Sequence, residues 1–345
     1  MQKIFLVIAI ILCFQYSCLA QSNISMPDSD VVESLLEEHQ VPAVGVGIIE
    51  SGKVSAIKVF GQLKKEVPAH EEAIFDVASL TKSITTILTL RLVHQGKWDL
   101  DEPLYHYWID PDVADHPYHK KITTRHVLSH RTGFKNWRWM NEDKKLSFDF
   151  EPGTQQQYSG EGFEYLRKAM EQKFQTSFED LCASLVFKPD HMKSSQLVWS
   201  DNIDLKNFAL WHKTTNEPYE DLESYQVNAA DNLLTTVGDF ANFGLNVMNK
   251  KGISEELYTE MIRSTDQVKD SIGMGLSWLI FEGLPNGEYA LMNMGGDPGV
   301  KTAIVLLPNS KRGLVIFTNG DDGHFVLMKM IVQMLDVGGE LVGRI

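Results

Sequence analysis

Cysteine is scarce in this 345-residue chain, with Cys13, Cys18 and Cys182 as its whole complement. The first two fall in an opening stretch that reads as a removable signal, so the expected mature chain holds one thiol and no internal disulfide. Core burial alone must then stabilise it. Cys182, with no histidine following closely, reads as a small buried apolar group rather than a nucleophile. Basic residues are also few, 32 Lys and Arg against 46 Asp and Glu, for a net charge of −14. An acidic surface repels phosphate backbones and anionic lipid, so no nucleic-acid partner is expected. Long apolar runs are missing too. The run at the start, Ile4 to Phe14, covers 11 residues, about half of the roughly 20 that a spanning helix requires, so the mature chain is expected to have no membrane span. A glycine-rich phosphate loop, a dinucleotide fingerprint and a paired metal-ligand motif are absent, and neither cofactor nor metal is expected. There is no internal repeat and no low-complexity tract. At 43% hydrophobic and 23% charged residues, composition excludes wholesale disorder, collagen and coiled coil.

What is present begins with an export signal. Lys3, the apolar run and the small residue closing Cys18-Leu19-Ala20 form the three parts of a secretory leader, predicting cleavage after residue 20 and a periplasmic or extracellular product. Lipid anchoring through Cys18 is the lesser alternative, because Gln15-Tyr16-Ser17 lacks the usual upstream aliphatic residue. Beyond the leader, Asp30 to His39 has helical spacing, and Ala43 to Glu50 with Lys53 to Gly61 forms a hairpin signal around Ser51-Gly52. Short strand-like runs recur at Tyr289 to Asn293, Lys301 to Leu307 and Leu314 to Thr318, before a closing helix at Phe325 to Leu335. The middle is mostly helical, clearest at Thr85 to Gln95, Arg125 to His130, Gly162 to Lys173 and Ser177 to Val186. Strands at both ends and helices between predict an α+β fold. One antiparallel sheet is built from about 30–75 and 265–345, with a helical insert at about 76–264 and a cleft at their junction.

Phe75-Asp76-Val77-Ala78-Ser79-Leu80-Thr81-Lys82 is the most informative stretch. With Asp76 as N-cap, Ser79 lies in the first turn of a helix and Lys82 three residues on, along the same face. Unpaired N–H groups of a first turn stabilise an oxyanion, and a desolvated lysine there loses its proton more readily and can take one from serine. Tyr158, in Gln157-Tyr158-Ser159-Gly160, can serve as a second base if it lies close to Lys82. The glycines of Asn293-Met294-Gly295-Gly296-Asp297-Pro298-Gly299 let a substrate lie along a strand edge. His126 and His130 stand at i and i+4, but the Glu of the usual zinc motif is absent between them and a structural role is the favoured reading. Trp137, Trp139 and Phe148 form either a lid over the cleft or part of the insert's own core.

Taken in order, these motifs resemble the serine β-lactamase and penicillin-binding-protein superfamily, in the branch of class C β-lactamases, D-alanyl-D-alanine carboxypeptidases and related esterases. Ile122 to Phe134 is similar to its leucine-rich turn and His-Thr-Ser-Gly segment, and Asn228 to Phe240 to its helix entry ending in an aspartate. The resemblance implies a β-lactamase/transpeptidase-like fold. It also implies Ser79 as nucleophile, Lys82 as its proton partner, Tyr158 as the base serving leaving group and water, and Ser79 and Gly296 as oxyanion donors. Two departures stand out. Gly160 replaces the Asn of Tyr-Ser-Asn, and Asn293-Met294-Gly295 replaces the Lys-Thr-Gly or His-Thr-Gly triplet, removing a cation that helps hold a substrate carboxylate. The expected function is a secreted serine hydrolase acting through a Ser79 acyl-enzyme on a small ester, amide or peptide. The alternatives are a weak or inactive ligand-binding relative, or a true β-lactamase or carboxypeptidase.

Overall fold

A computed structural model describes residues 24–200, 203–220, 223–269 and 271–345. The expected leader, with Cys13 and Cys18, lies outside the described residues. The first hairpin forms where the Ser51-Gly52 turn puts it, joining β1 (Ala43–Glu50) to β2 (Lys53–Lys64). The remaining strands are β3 (Val67–Pro68), β4 (Ile74–Asp76), β5 (Leu234–Thr236), β6 (Asp266–Lys269), β7 (Ile272–Met274), β8 (Leu279–Leu284), β9 (Glu288–Asp297), β10 (Val300–Leu307) and β11 (Arg312–Thr318). Among the described residues, nine of them form one antiparallel sheet in the order β3-β2-β1-β11-β10-β9-β8-β7-β6. The two chain ends meet at its centre, where β1 pairs with β11. These central strands are apolar at nearly every position because both faces are covered, which is why they read as runs rather than as an alternation.

The described helices are α1 (Ser29–Glu38), α2 (Thr81–His94), α3 (Thr124–Leu128), α4 (Gly160–Phe174), α5 (Phe178–Cys182), α6 (Val237–Met248), α7 (Glu255–Met261), α8 (Gly323–Met334) and α9 (Gly338–Arg344). One face of the sheet packs on α1, α8 and α9 through Leu35, Leu36, Val326 and Met330 against Val46, Ile48 and Ile316. The other carries α6 and the large central core. Within that core Phe317 of β11 meets Phe75 of β4 and Phe240 of α6, at ring centroid distances of 5.9 and 5.5 Å. Truncating a buried ring of this kind costs about 3–5 kcal/mol. The cluster ties β4, and with it the turn that follows, to the middle of the sheet.

Two elements differ from the reading of the sequence. Helix α2 starts at Thr81, later than a cap at Asp76 implies and earlier than the clearest helical stretch, Thr85 to Gln95; its buried hydroxyls satisfy themselves, Ser83, Thr86 and Thr89 donating to the carbonyls of Leu80, Lys82 and Thr85. A run of buried threonines hides the apolar period while remaining compatible with helix. The strand β5 lies inside the stretch read as helical and pairs with β4 in a small second sheet. No helix of the described residues is long and apolar enough to cross a membrane.

Candidate active site

Ser79 lies in a 3-10 turn, Ala78–Leu80, between β4 and α2. Asp76 is the last residue of β4 and does not cap α2 as expected; its Oδ1 accepts the Ala78 N–H at 2.9 Å and its Oδ2 accepts the Trp211 indole N–H at 3.2 Å. The turn is held from three further sides. Val77 donates to the Leu233 carbonyl, the Thr302 hydroxyl donates to the Val77 carbonyl, and the Thr81 hydroxyl bridges Ala78 O and Leu233 N. Ala78 sits at φ 48°, a left-handed conformation that only such surroundings maintain.

Lys82 follows on the first turn of α2, only 1% exposed. Its Nζ donates to Ser79 Oγ at 2.9 Å and to the Ala230 carbonyl at 2.9 Å. It also stands 4.6 Å from the centroid of the Tyr158 ring. Tyr158 precedes α4, whose N-cap Ser159 accepts the Gly162 N–H, so the tyrosine is placed by a helix start its sequence favours. Tyr158 is 45% exposed; its ring packs tilted on His130 at a centroid distance of 4.4 Å, while its hydroxyl has no hydrogen-bond partner among the described residues. Burial, and then the neighbouring Lys82, push the His130 imidazole down to about 3, so it stays neutral in ordinary buffers. Its Nδ1 accepts the Ser159 N–H at 3.2 Å.

The strand β9 forms the opposite wall. Its hairpin with β10 closes through the two-residue Pro298-Gly299 turn, making Asp297 and Val300 the first ladder pair. Antiparallel pairs alternate, so Met294 and Gly296 turn their backbone groups away from β10. The Met294 N–H bears this out by bonding to Asn293 Oδ1 instead. Strand β8 pairs with β9 no farther than Met292, which leaves the edge from Asn293 to Asp297 open to the cleft. Gly295 backs onto the Ser79 turn, where a Cβ would lie 2.3 Å from the Val77 carbonyl oxygen and 3.2 Å from Ser79 N. Only glycine lets the strand and the turn approach this closely.

Ser79, Lys82, Tyr158, Asn293, Gly295 and Gly296 therefore line one cavity of about 570 Å³. Gly160 does not line it; a Cβ there would meet the Trp137 ring at 2.6 Å, so the indole occupies the space a side chain would need. Asn293 lines the cavity but commits its amide to the strand, with Nδ2 donating to the Ser277 carbonyl at 2.9 Å. A wider hollow of about 1000 Å³ between α1 and β2 contains no serine or cysteine.

The sequence reading assigns His130 a structural role and Asp231 none, and it does not foresee that His130 packs on Tyr158 or that Asp231 meets Asp297. Asp231 and Asp297 line the cleft and hydrogen-bond each other, with Asp76 nearby. Burial, then the charges of Asp231 and Asp76, raise Asp297 to about 8. Asp76 rises to about 7 by burial and then by the Asp231 charge. Burial raises Asp231 as well, and the Lys82 amine opposes this. Raised carboxyls keep protons in the folded state that the unfolded chain releases near pH 4, so stability falls as pH rises from about 4 to about 8. Thermal unfolding followed by circular dichroism should show the midpoint of Asp297→Asn declining less between pH 5 and pH 8 than that of the parent. Parallel declines would remove Asp297 as a source of the dependence.

The two histidines do not share a helix face. Helix α3 ends at Leu128, His130 sits beyond it at φ 56°, and His126 closes a capping box with Thr123. The three aromatics also separate. Trp137 lines the cleft, Trp139 is 66% exposed, and Phe148 packs on Phe134 at 4.7 Å in the core. Cys182 is fully buried and its thiol is pushed up by burial, the inert environment its sequence context suggested.

The Beta-lactamase family model matches residues 29–338. The chain is 29% identical over 113 residues to the serine beta-lactamase-like protein LACTB, mitochondrial, of Homo sapiens, a stretch covering 31% of this chain. The matched region spans only about a fifth (20%) of that relative's length. A solved class C beta-lactamase superposes with a TM-score of 0.74 at 20% identity, covering 89% of this chain and 95% of that one. A penicillin binding protein from Bacillus halodurans gives 0.72 at 20% identity, covering 88% and 100%. With the family model matching residues 29–338 and the solved structures superposing over nearly nine-tenths of the chain, the protein belongs to the Beta-lactamase family and has the β-lactamase/transpeptidase-like fold.

Proposed function

We propose that the protein is an exported serine hydrolase that works through a Ser79 acyl-enzyme on small esters or amides carrying no carboxylate. The observation that carries this reading is the 2.9 Å contact from a buried Lys82 Nζ to Ser79 Oγ at the floor of an open cleft. Lys82, as the free amine with its lone pair turned to Oγ, takes the hydroxyl proton as Oγ attacks the acyl carbon, and the oxyanion settles between the N–H groups of Ser79 and Gly296. Tyr158 hands a proton to the leaving group, which departs, and then takes one from the water that attacks the ester carbon of the acyl-enzyme. Water thereby supplies the hydroxyl of the released acid, the acyl carbon–Oγ bond breaks, and Lys82 returns its proton to Ser79 Oγ.

The preference against carboxylates rests on charge. Lys82 is the one Lys or Arg among the described residues lining the cleft, and the neutral Asn293 stands where the family pattern has a cation. Export rests on the sequence of residues 1–20. Intact-mass spectrometry with peptide mapping tests the chemistry, after incubation with a fluorophosphonate and separately with a penicillin. The expected result is a single adduct on Ser79 from the fluorophosphonate and none from the penicillin. Label from both would return the protein to the penicillin-recognising class, and label from neither would leave a ligand-binding relative without turnover.

A further inference from the structure

Along the sheet end of the cleft the lining is apolar. Strand β9 contributes Met294, β8 Leu279, β7 Met274 and β6 Val268. The register puts the first three on one face of the sheet. Leu279 stands directly opposite Met274 on β7 and opposite Met292 on β9, and side chains facing each other across a pair share a face. Met294 is two residues on from Met292, so it continues that face past the last β8–β9 pair and into the open edge. Val268 sits at the β6–β7 irregularity between Gln267 and Lys269, where a bulge re-aims a side chain, and it lines the same cavity. The row is only partly covered by protein: Met294 and Leu279 are half-buried and Val268 is 48% exposed. Its inner end lies beside the nucleophile, since Met294 precedes the Gly295 that backs onto the Ser79 turn. Both forms of the triplet that Asn293-Met294-Gly295 replaces have threonine in the middle, so a hydroxyl is exchanged for a thioether chain.

We infer that this row is a hydrocarbon-binding subsite of the Ser79 cleft, and that the substrate is an ester or amide with a flexible alkyl chain on one side of the scissile bond. The inference rests on the acyl-enzyme reading and narrows its substrate class. Strands lie about 4.8 Å apart, so a row crossing from β9 to β6 spans three spacings, about 14 Å, while it is one side chain wide on each strand. That shape fits a chain better than a compact ring. Two of the four side chains are methionines, whose unbranched thioethers adjust to a flexible partner. Water held against these apolar groups is released when a chain covers them, which favours substrates that carry one. Continuity with Ser79 in one cavity of about 570 Å³ assigns the row to the substrate rather than to another protein.

The test uses two pairs of esters. In each pair the longer member carries about four more methylenes, enough to reach along the row. 4-Nitrophenyl acetate against the hexanoate lengthens the acyl side, and ethyl acetate against hexyl acetate lengthens the leaving side. Rates are divided by those of hydroxide-catalysed hydrolysis and corrected with a Ser79→Ala blank. At least one pair should favour the long ester in kcat/KM by about ten-fold or more, each buried methylene contributing up to about four-fold, and the pair that responds tells which half lies on the row. Met294→Thr, Leu279→Gln and Val268→Asn should each cut that preference by about three-fold or more, read as the long-to-short ratio within each variant. Val268 is half-exposed on an edge strand, so its variant keeps the test decisive should either of the others fail to fold. Acetate turnover with no gain from length in either pair would overturn the inference and leave the acyl-enzyme reading standing. So would a gain that survives all three variants unchanged, because the chain would then lie elsewhere. No turnover of any ester together with no fluorophosphonate adduct on Ser79 would instead remove the acyl-enzyme reading, and this inference with it.

Discussion

Lys82→Met should lower kcat/KM for a neutral aryl ester by roughly a thousand-fold or more, within the range that general-base catalysis and nucleophile activation supply. The methionine keeps most of the buried volume and removes the nitrogen that stands 2.9 Å from Ser79 Oγ and from the Ala230 carbonyl. Ser79→Ala should lose at least as much, and the double variant should be no slower than the worse single one, because a nucleophile and its proton partner act as one unit. Measuring all three against the same ester forms a complete cycle. Additive losses would mean that Lys82 serves the fold and that some other group activates Ser79. Ser79→Ala removes a single hydroxyl from a turn held mainly by Asp76, Thr81, Thr302 and Leu233, so its melting temperature should stay close to the parent's.

How much of this was legible beforehand depends on whether the physics is local. The first hairpin, the late strands and α8 were read within a few residues because apolar runs broken by Gly and Pro carry the signal in themselves. Ser79, Lys82 and Tyr158 were singled out because a nucleophile motif at a helix start is a short pattern, and the fold brings the three to one cleft even though the cap was assigned wrongly. Asp76 caps no helix because Leu80 and Thr81 begin α2 after a separate 3-10 turn, a distinction that three residues of sequence do not encode. The apolar period of α2 shows clearly only from Thr85 onward because its buried threonines bond to their own backbone. What sequence cannot supply is company across the fold. Asp231 stands 66 residues before Asp297 in the chain, and only folding brings the two carboxyls together against Lys82. In the same way Gly160 read as the loss of an amide, while the fold sets Asn136, from a loop 24 residues earlier, against that same position.

Tyr158→Phe should reduce turnover of the neutral ester by about a hundred-fold, the scale of a positioned acid–base group. The substitution isolates the hydroxyl, because phenylalanine retains the ring that packs on His130 at 4.4 Å and lies over Lys82 Nζ at 4.6 Å. The hydroxyl is free of any hydrogen bond among the described residues, so the substitution breaks no contact within the protein. Two readouts separate its steps. If Tyr158 serves mainly deacylation, the phenylalanine variant should still release a burst of nitrophenol equal to the enzyme concentration and then stall, with the acyl group found on Ser79 by mass. If it serves leaving-group protonation, the defect should be small for a nitrophenyl ester, whose leaving group departs as the anion, and large for the matching anilide. Turnover within two-fold of the parent on both substrates would leave Lys82 as the proton carrier for both half-reactions. Tyr158→Leu, which also removes the ring, would then be expected to lose activity through misplacement of Lys82, and the contrast between the two variants assigns the tyrosine to chemistry or to packing.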